Sequence, residues 1–319
     1  MKARRWSQLG FMLLAADAAA CSSGSEGLAP ELPRDAGGGD SGTGDIPPPC
    51  GPSTLAAGTF ALSFAGVDYG YLVHLPPSYD GTKRAPLVLN WHGYTSNAQQ
   101  QEFFSNFDPA ADDEGFIVVY PNSPDASWNA GTCCASGAAS RDDVGFARAL
   151  VAEISSKACI DAKRIYAMGM SNGGFMSFRL GCEAADLFAA IAPVAGKIGV
   201  AGCRPARPIP LLAFHGTADT LVAYSTGALS PDMLTVPDTA RKWADLDGCT
   251  QGPDTVLQNG IARCEAWSNC SDGASATLCT VEGGGHCWPG QSVCPYGTTT
   301  ADIDASRQIA AFFKSSKLP

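Results

Sequence analysis

Histidine is scarce in this sequence: there are four among 319 residues, with no H-x-x-x-H spacing, and none of the thirteen cysteines forms a C-x-x-C. The usual spacings of metal ligands are therefore missing, and neither a metal nor another cofactor is expected. Basic residues are few as well. Lys and Arg number 21 against 31 Asp and Glu, a formal charge of −10, with no basic run beyond Lys2–Arg5. That composition excludes the electrostatic footprint of a nucleic-acid binder. After Ala20 no stretch approaches the ~20 apolar residues that a membrane-spanning helix needs.

What is present begins with an export pattern. Residues 1–20 have a basic start (Lys2, Arg4, Arg5), an apolar middle and the small run Ala18-Ala19-Ala20 ahead of Cys21, the layout of a signal peptide. The Ala-Ala-Ala-Cys junction resembles a bacterial lipoprotein processing site. A lipid on Cys21 is expected slightly ahead of plain secretion, and it is the only membrane link foreseen. Residues 21–49 are rich in Gly, Ser, Pro and Asp and read as a flexible tether. Residues 50–319 are long enough for one catalytic domain, expected to be a monomer. Twelve cysteines remain after Cys21, an even number that permits up to six disulfides in an exported chain.

Along that domain, residues 59–64 and 69–75 read as antiparallel strands, and 86–91, 116–120, 187–194 and 209–214 as buried apolar strands. Residues 99–114, 142–156, 235–247 and 303–313 read as helices. Asp142 and Asp143 open the second of these, where the helix dipole favours carboxylates, so both are read as caps. The cysteine-rich residues 259–278 read as hairpin or loop before a last strand at 279–281. Strand and helix alternate, which predicts an α/β fold with a doubly wound, mostly parallel sheet and antiparallel strands at its N-terminal edge. Ligands bind such a sheet at the carboxyl ends of its strands.

The chain is organised around Arg164–Met176, where an apolar strand meets a helix at Gly169-Met170-Ser171-Asn172-Gly173. G-x-S-x-G arises readily by chance among 36 glycines. Here it sits at a strand-to-helix junction, where a sharp turn projects Ser171 at the top of the sheet. Ser171 is the expected nucleophile. Among the histidines, His74 lies within an early strand, His92 lies in the loop after the third strand, and His215 closes a strand. His286 follows Gly283-Gly284-Gly285 in a loop after the last strand and is the expected base. Asp219 follows a strand and a turn and is the expected acid, ahead of Asp232, Asp238 and Asp245. Backbone N–H groups of Asn172 and Tyr94 are expected to form the oxyanion hole. The order Ser171, Asp219, His286 is that of the α/β-hydrolase fold.

Several further segments resemble those of secreted serine esterases, the polyhydroxybutyrate depolymerase-like proteins with the related feruloyl and acetylxylan esterases. They are Trp91-His92-Gly93, Trp128-Asn129-Ala130-Gly131, Asp142–Phe146, Gly169–Gly174, Phe214–Asp219 and Gly283–Gly290. Carried over by position, the resemblance implies the same three residues as triad. It implies a feruloyl-esterase-like hydrolase that releases hydroxycinnamate from plant cell-wall polysaccharide, with polyhydroxybutyrate depolymerase and then acetylxylan esterase as alternatives. A separate polymer-binding domain does not fit within this length, which lowers the polyester alternative. A non-catalytic surface binder on the same fold is the contrasting class. Trp128, Trp288, Tyr94 and His92 are candidates to contact substrate, against a competing reading as packing residues. Finally, a bridge from Cys287 to the Cys133-Cys134 loop is expected to fix the His286 loop, with Cys294 as the alternative partner. A bond between the adjacent Cys133 and Cys134 is not expected.

Overall fold

The computed structural model describes residues 50–134, 138–226, 233–294 and 296–319. The signal, the tether and Cys21 of the sequence reading, and Asp232, lie outside the described residues. Ten strands form one sheet in the order β1-β2-β4-β3-β5-β6-β7-β10-β9-β8. They are Gly58–Phe64 (β1), Val67–His74 (β2), Ala85–Trp91 (β3), Ile117–Asn122 (β4), Ile160–Met170 (β5), Ala190–Val194 (β6), Leu211–Gly216 (β7), Gln251–Asn259 (β8), Ala262–Ser268 (β9) and Ala276–Val281 (β10). The six central strands from β4 to β10 are parallel. Antiparallel strands flank them on both edges. The fold is thus the expected α/β architecture, with a second antiparallel edge contributed by the cysteine-rich hairpin β8–β9.

The central strands read as unbroken apolar runs because helices cover both faces. Leu87, Leu89 and Trp91 of β3 join Ile165 and Ala167 of β5 in one core. That core is closed by helices Asp143–Lys157 (α3), Asn172–Glu183 (α4) and Val236–Leu246 (α5). Val88, Tyr166 and Met168 point the other way, toward Ala98–Ser105 (α1), Asp108–Glu114 (α2) and Ala305–Ser315 (α6).

Residues 99–114 are two helices, not one. Asn106 takes the left-handed conformation (φ 42°, ψ 47°), and its N–H donates to Glu102 O at 2.8 Å, ending α1. Pro109 then fits the first turn of α2, where a missing N–H costs nothing. Phe103, in the last turn of α1, is 63 % exposed. The paired carboxylates also part company. Asp142 caps α3 by accepting from Gly145 N. Asp143 is fully buried and instead accepts from Tyr69 Oη at 2.8 Å, Asn129 N at 2.6 Å and Arg141 Nε at 3.2 Å.

All twelve cysteines after Cys21 pair, in the bonds Cys50–Cys159, Cys133–Cys134, Cys182–Cys203, Cys249–Cys270, Cys264–Cys279 and Cys287–Cys294. The connectivity corrects the expected Cys287 bridge to the Cys133-Cys134 loop. Cys287 closes a local loop with Cys294, which costs less chain entropy than a link across the cleft. Contrary to expectation, Cys133 and Cys134 bond each other, in a turn where Cys134 has φ 61°. Ser127 Oγ holds that turn by donating to Cys134 O at 3.1 Å. No helix among the described residues is long and apolar enough to cross a membrane.

Candidate active site

Ser171 stands between β5 and α4 with φ 57° and ψ −122°, a backbone conformation that non-glycine residues rarely adopt. The turn is tight enough to require glycine on both sides. A Cβ on Gly169 would come within 2.5 Å of Trp91 O, and one on Gly173 within 2.0 Å of the same oxygen. The end of β3 is therefore wedged against the elbow. The N–H groups of α4's first turn, beginning at Asn172, are the ones a helix leaves without internal partners. The Asn172 side chain turns inward, accepting from Trp128 N at 2.7 Å and donating to Trp128 O at 3.2 Å.

Beyond β3, the backbone at Gly93 runs alongside the serine: a Cβ there would lie 3.3 Å from Ser171 Cβ. His92 has no exposed surface. Its Nε2 accepts from Ser123 N at 3.1 Å, which leaves Nδ1 to donate to Gly93 O at 2.7 Å. Burial lowers its pKa to about 4, so the ring stays neutral under ordinary conditions. Trp128 is also fully buried, edge-on to Trp91, with Nε1 donating to His92 O at 3.0 Å. Neither His92 nor Trp128 lines the cavity beside Ser171, which corrects their assignment as substrate contacts. They support the loop from behind.

Across the sheet top, the carboxylate of Asp219 accepts from three N–H groups and lies against a fourth, that of His215. Oδ1 accepts from Leu221 N and Val222 N, both at 2.8 Å. Oδ2 lies 2.7 Å from His286 Nδ1 and 3.3 Å from His215 Nε2. Burial alone would raise this carboxyl, but the hydrogen bonds from His215 and His286 outweigh it and hold Asp219 well below the usual carboxylate range. His215 also donates from Nε2 to Val222 O at 2.7 Å, so it fixes both the acid and the turn that carries it. Sequence reading set His215 aside because it closes β7. Its only signal was its place four residues before Asp219. Asp238 and Asp245 belong to α5, away from this cluster.

Ser171 and His286 both line a cavity of about 520 Å³. Its wall is largely apolar: Phe104, Met170, Leu221, Val222 and Val293, with Tyr94 and Tyr296 at the mouth. Trp288 lines it too, although only 1 % exposed, with Nε1 donating to Ser306 Oγ at 2.9 Å. Cys134 and Cys287 complete parts of the wall, so two of the disulfides face the cavity. Phe104, Val293 and Tyr296 carried no recognisable signal, since an apolar wall residue looks like a core residue until the fold exposes one side. No three His, Cys, Asp or Glu side chains among the described residues are placed to share a metal ion.

The family model described as esterase PHB depolymerase matches residues 69–207. Feruloyl esterase B of Piromyces equi is 40 % identical over 231 residues, covering 67 % of this chain and 42 % of that protein. NocK of Nocardia uniformis subsp. tsuyamanensis, whose name marks it as an esterase, is 30 % identical over 248 residues, covering 71 % of this chain and 72 % of that one. The chain thus spans less than half of the feruloyl esterase and nearly three quarters of NocK. Among solved structures, an acetyl xylan esterase from Aspergillus awamori superimposes with a TM-score of 0.56 at 16 % identity, covering 72 % of this chain and 94 % of that one. That likeness is one of fold. The matched segment holds the Ser171 elbow and the His92 loop, and with the NocK match it establishes that this chain belongs to the esterase PHB depolymerase family.

Proposed function

We propose that this chain is a serine carboxylic-ester hydrolase of feruloyl-esterase type, acting on hydroxycinnamate esters of plant cell-wall polysaccharide. The observation that carries this reading is the 2.7 Å contact between Asp219 and His286 at a largely apolar cavity that Ser171 also lines. In the proposed cycle, Ser171 Oγ attacks the ester carbonyl as His286 Nε2 takes its proton. Asp219, ionised at all working pH, keeps the Nδ1–H tautomer and stabilises the imidazolium. The N–H groups of Asn172 and Tyr94 receive the developing oxyanion. His286 then protonates the departing alcohol, and water, activated by the same imidazole, releases the acid from the acyl-enzyme.

A volume of about 520 Å³ lies within the ~300–1,000 Å³ of small-molecule sites and far exceeds the needs of an acetyl group. The aromatic and aliphatic wall suits a flat aromatic acyl chain, which favours ferulate over acetate. Six disulfides favour a compartment outside the cytoplasm. The mass of the mature N-terminus distinguishes a lipid on Cys21 from a free secreted form.

Two measurements test the reading. A fluorophosphonate probe should label the wild-type protein and not Ser171→Ala; equal labelling of both, or of neither, would leave only a binding protein. Methyl ferulate, acetylated xylan and polyhydroxybutyrate film should rank in that order. Film clearing without ferulate turnover would make the protein a polyester depolymerase.

A further inference from the structure

A second cavity of about 390 Å³ opens beside the first, and the two share the side chains of Phe104 and Val293 as a common wall. Its own lining differs in character. Glu102, Asn106 and Asp108 come from the α1–α2 junction, Gln291 and Ser292 from the loop after His286, and Phe103 provides a single exposed aromatic ring. Phe103 meets the ring of its neighbour Phe104 by an edge, with ring centroids 5.6 Å apart at 64°. An aromatic ring left 63 % exposed beside amides, a hydroxyl and two carboxylates has the composition of a site for a molecule with one apolar face and a polar rim.

We propose that this second cavity binds the neutral sugar unit on the alcohol side of the ester, immediately beyond the acyl cavity. The inference rests on the feruloyl-esterase reading and names the part of the substrate that reading leaves open. A furanose or pyranose ring presents C–H groups on one face and hydroxyls around its edge. The face would cover Phe103, and the amides of Asn106 and Gln291 would each donate to and accept from ring hydroxyls. The carboxylates of Glu102 and Asp108 accept hydroxyl protons and repel anions, which excludes a phosphorylated or uronate sugar. Burial and the nearby Asp108 raise the Glu102 carboxyl, in keeping with two acids crowded in one recess. Asp108 is oriented by Tyr120 Oη, which donates to it at 2.5 Å, and by His74 Nδ1 at 3.4 Å. One rim of the recess is therefore prebuilt.

The break between α1 and α2 creates this recess. Phe103 and Asn106 stand three residues apart and so share one face at the end of α1. The left-handed Asn106 then turns the chain so that Asp108, at the start of α2, borders the same space.

The test compares Phe103→Ala and Gln291→Ala with wild type on methyl ferulate and on a feruloylated arabinoxylo-oligosaccharide. Neither residue lines the acyl cavity. Both variants should lose at least fivefold in kcat/KM on the oligosaccharide ester, through KM, and stay within twofold on methyl ferulate. Equal losses on both esters, or no loss on either, would overturn the proposal. If the wild type hydrolyses neither ferulate ester, the functional reading fails instead. Calorimetric titration of ferulate-free arabinoxylo-oligosaccharide into the Ser171→Ala protein then judges the subsite alone. Binding that Phe103→Ala weakens would support it; no binding would end it.

Discussion

In the proposed cycle, His92 would act on the reaction from a position out of reach of substrate. Because a trans peptide points its N–H opposite to its C=O, any group that fixes Gly93 O also aims Tyr94 N–H. His92 Nδ1 fixes that oxygen at 2.7 Å, and Ser96 N reinforces it at 3.2 Å. His92→Ala should therefore lower kcat roughly 10- to 100-fold, short of the 10²- to 10³-fold typical when an oxyanion donor is lost outright. KM should stay within about threefold. Steady-state kinetics on methyl ferulate check this: a rise in KM at constant kcat would mean a substrate contact, and a loss of stability alone would mean packing. The role was illegible in the sequence because Ser123, which sets the tautomer, lies 31 residues away. The Ser171 turn was legible because crowding by Trp91 O leaves its mark as two glycines at fixed spacing. His215 was hidden by the same limit as His92: its partners are hydrogen-bond atoms rather than a pattern.

At the scale of elements, periodicity found the parallel strands well, since burial on both faces writes an unbroken apolar run. It merged α1 with α2 because both share one apolar rhythm; the interruption depends on Asn106 and Pro109. It left β8–β9 undecided because β8 is mostly exposed and carries little alternation. Disulfide partners were least legible, since pairing depends on distances that spacing does not encode. The His286 loop illustrates the consequence. The expected brace across the cleft is replaced by three backbone bonds: Gly285 N to Thr298 O at 2.8 Å, His286 N to Tyr296 O at 3.0 Å and Ala218 N to Gly284 O at 2.9 Å. The Cys287–Cys294 bond adds a short closure, with a sequence separation of 7. The double variant Cys287→Ser/Cys294→Ser should lose about 2–3 kcal/mol of stability, as expected for so short a loop. Its folded fraction should keep kcat within about threefold. Denaturant melts beside active-site-titrated turnover decide; a fall in kcat beyond tenfold would make the disulfide, not the backbone bonds, the device that positions His286.

For the whole molecule, one contribution to the pH dependence of stability comes from Asp247, a fully buried carboxyl at the end of α5. It joins three parts of the chain: Oδ1 accepts from Ile209 N at 2.9 Å ahead of β7, and its backbone oxygen accepts from Ser271 N at 2.9 Å. Oδ2 has no partner. Burial pushes its pKa up to about 7, against the opposing pull of the Ile209 N–H and of Arg207. Unfolded, the same group titrates near ~3.9. Between those values the folded chain holds the extra proton at Asp247, so this group's contribution to stability falls as pH rises from about 4 to about 7 and levels off above it, while buried His92, lowered to about 4, contributes the opposite slope between its folded value and the ordinary ~6.5. The Asp247 slope is the reverse of that of an ion-paired carboxylate. The shift amounts to a loss on the order of 3–4 kcal/mol. The formal charge of −10 acts in the same direction, because acidification relieves repulsion among the carboxylates. Asp247→Asn separates the two effects. The amide keeps an acceptor for Ile209 N–H and cannot ionise, while its NH2 group faces the unpartnered Oδ2 position at a cost of ~1 kcal/mol. The variant should be more stable than wild type at pH 8 by roughly 2 kcal/mol and slightly less stable at pH 4, with the difference between the two growing steadily over that range. Chemical denaturation at several pH values measures all three. If the variant is no more stable at pH 8 and the slope is unchanged, surface repulsion, not Asp247, governs the pH dependence.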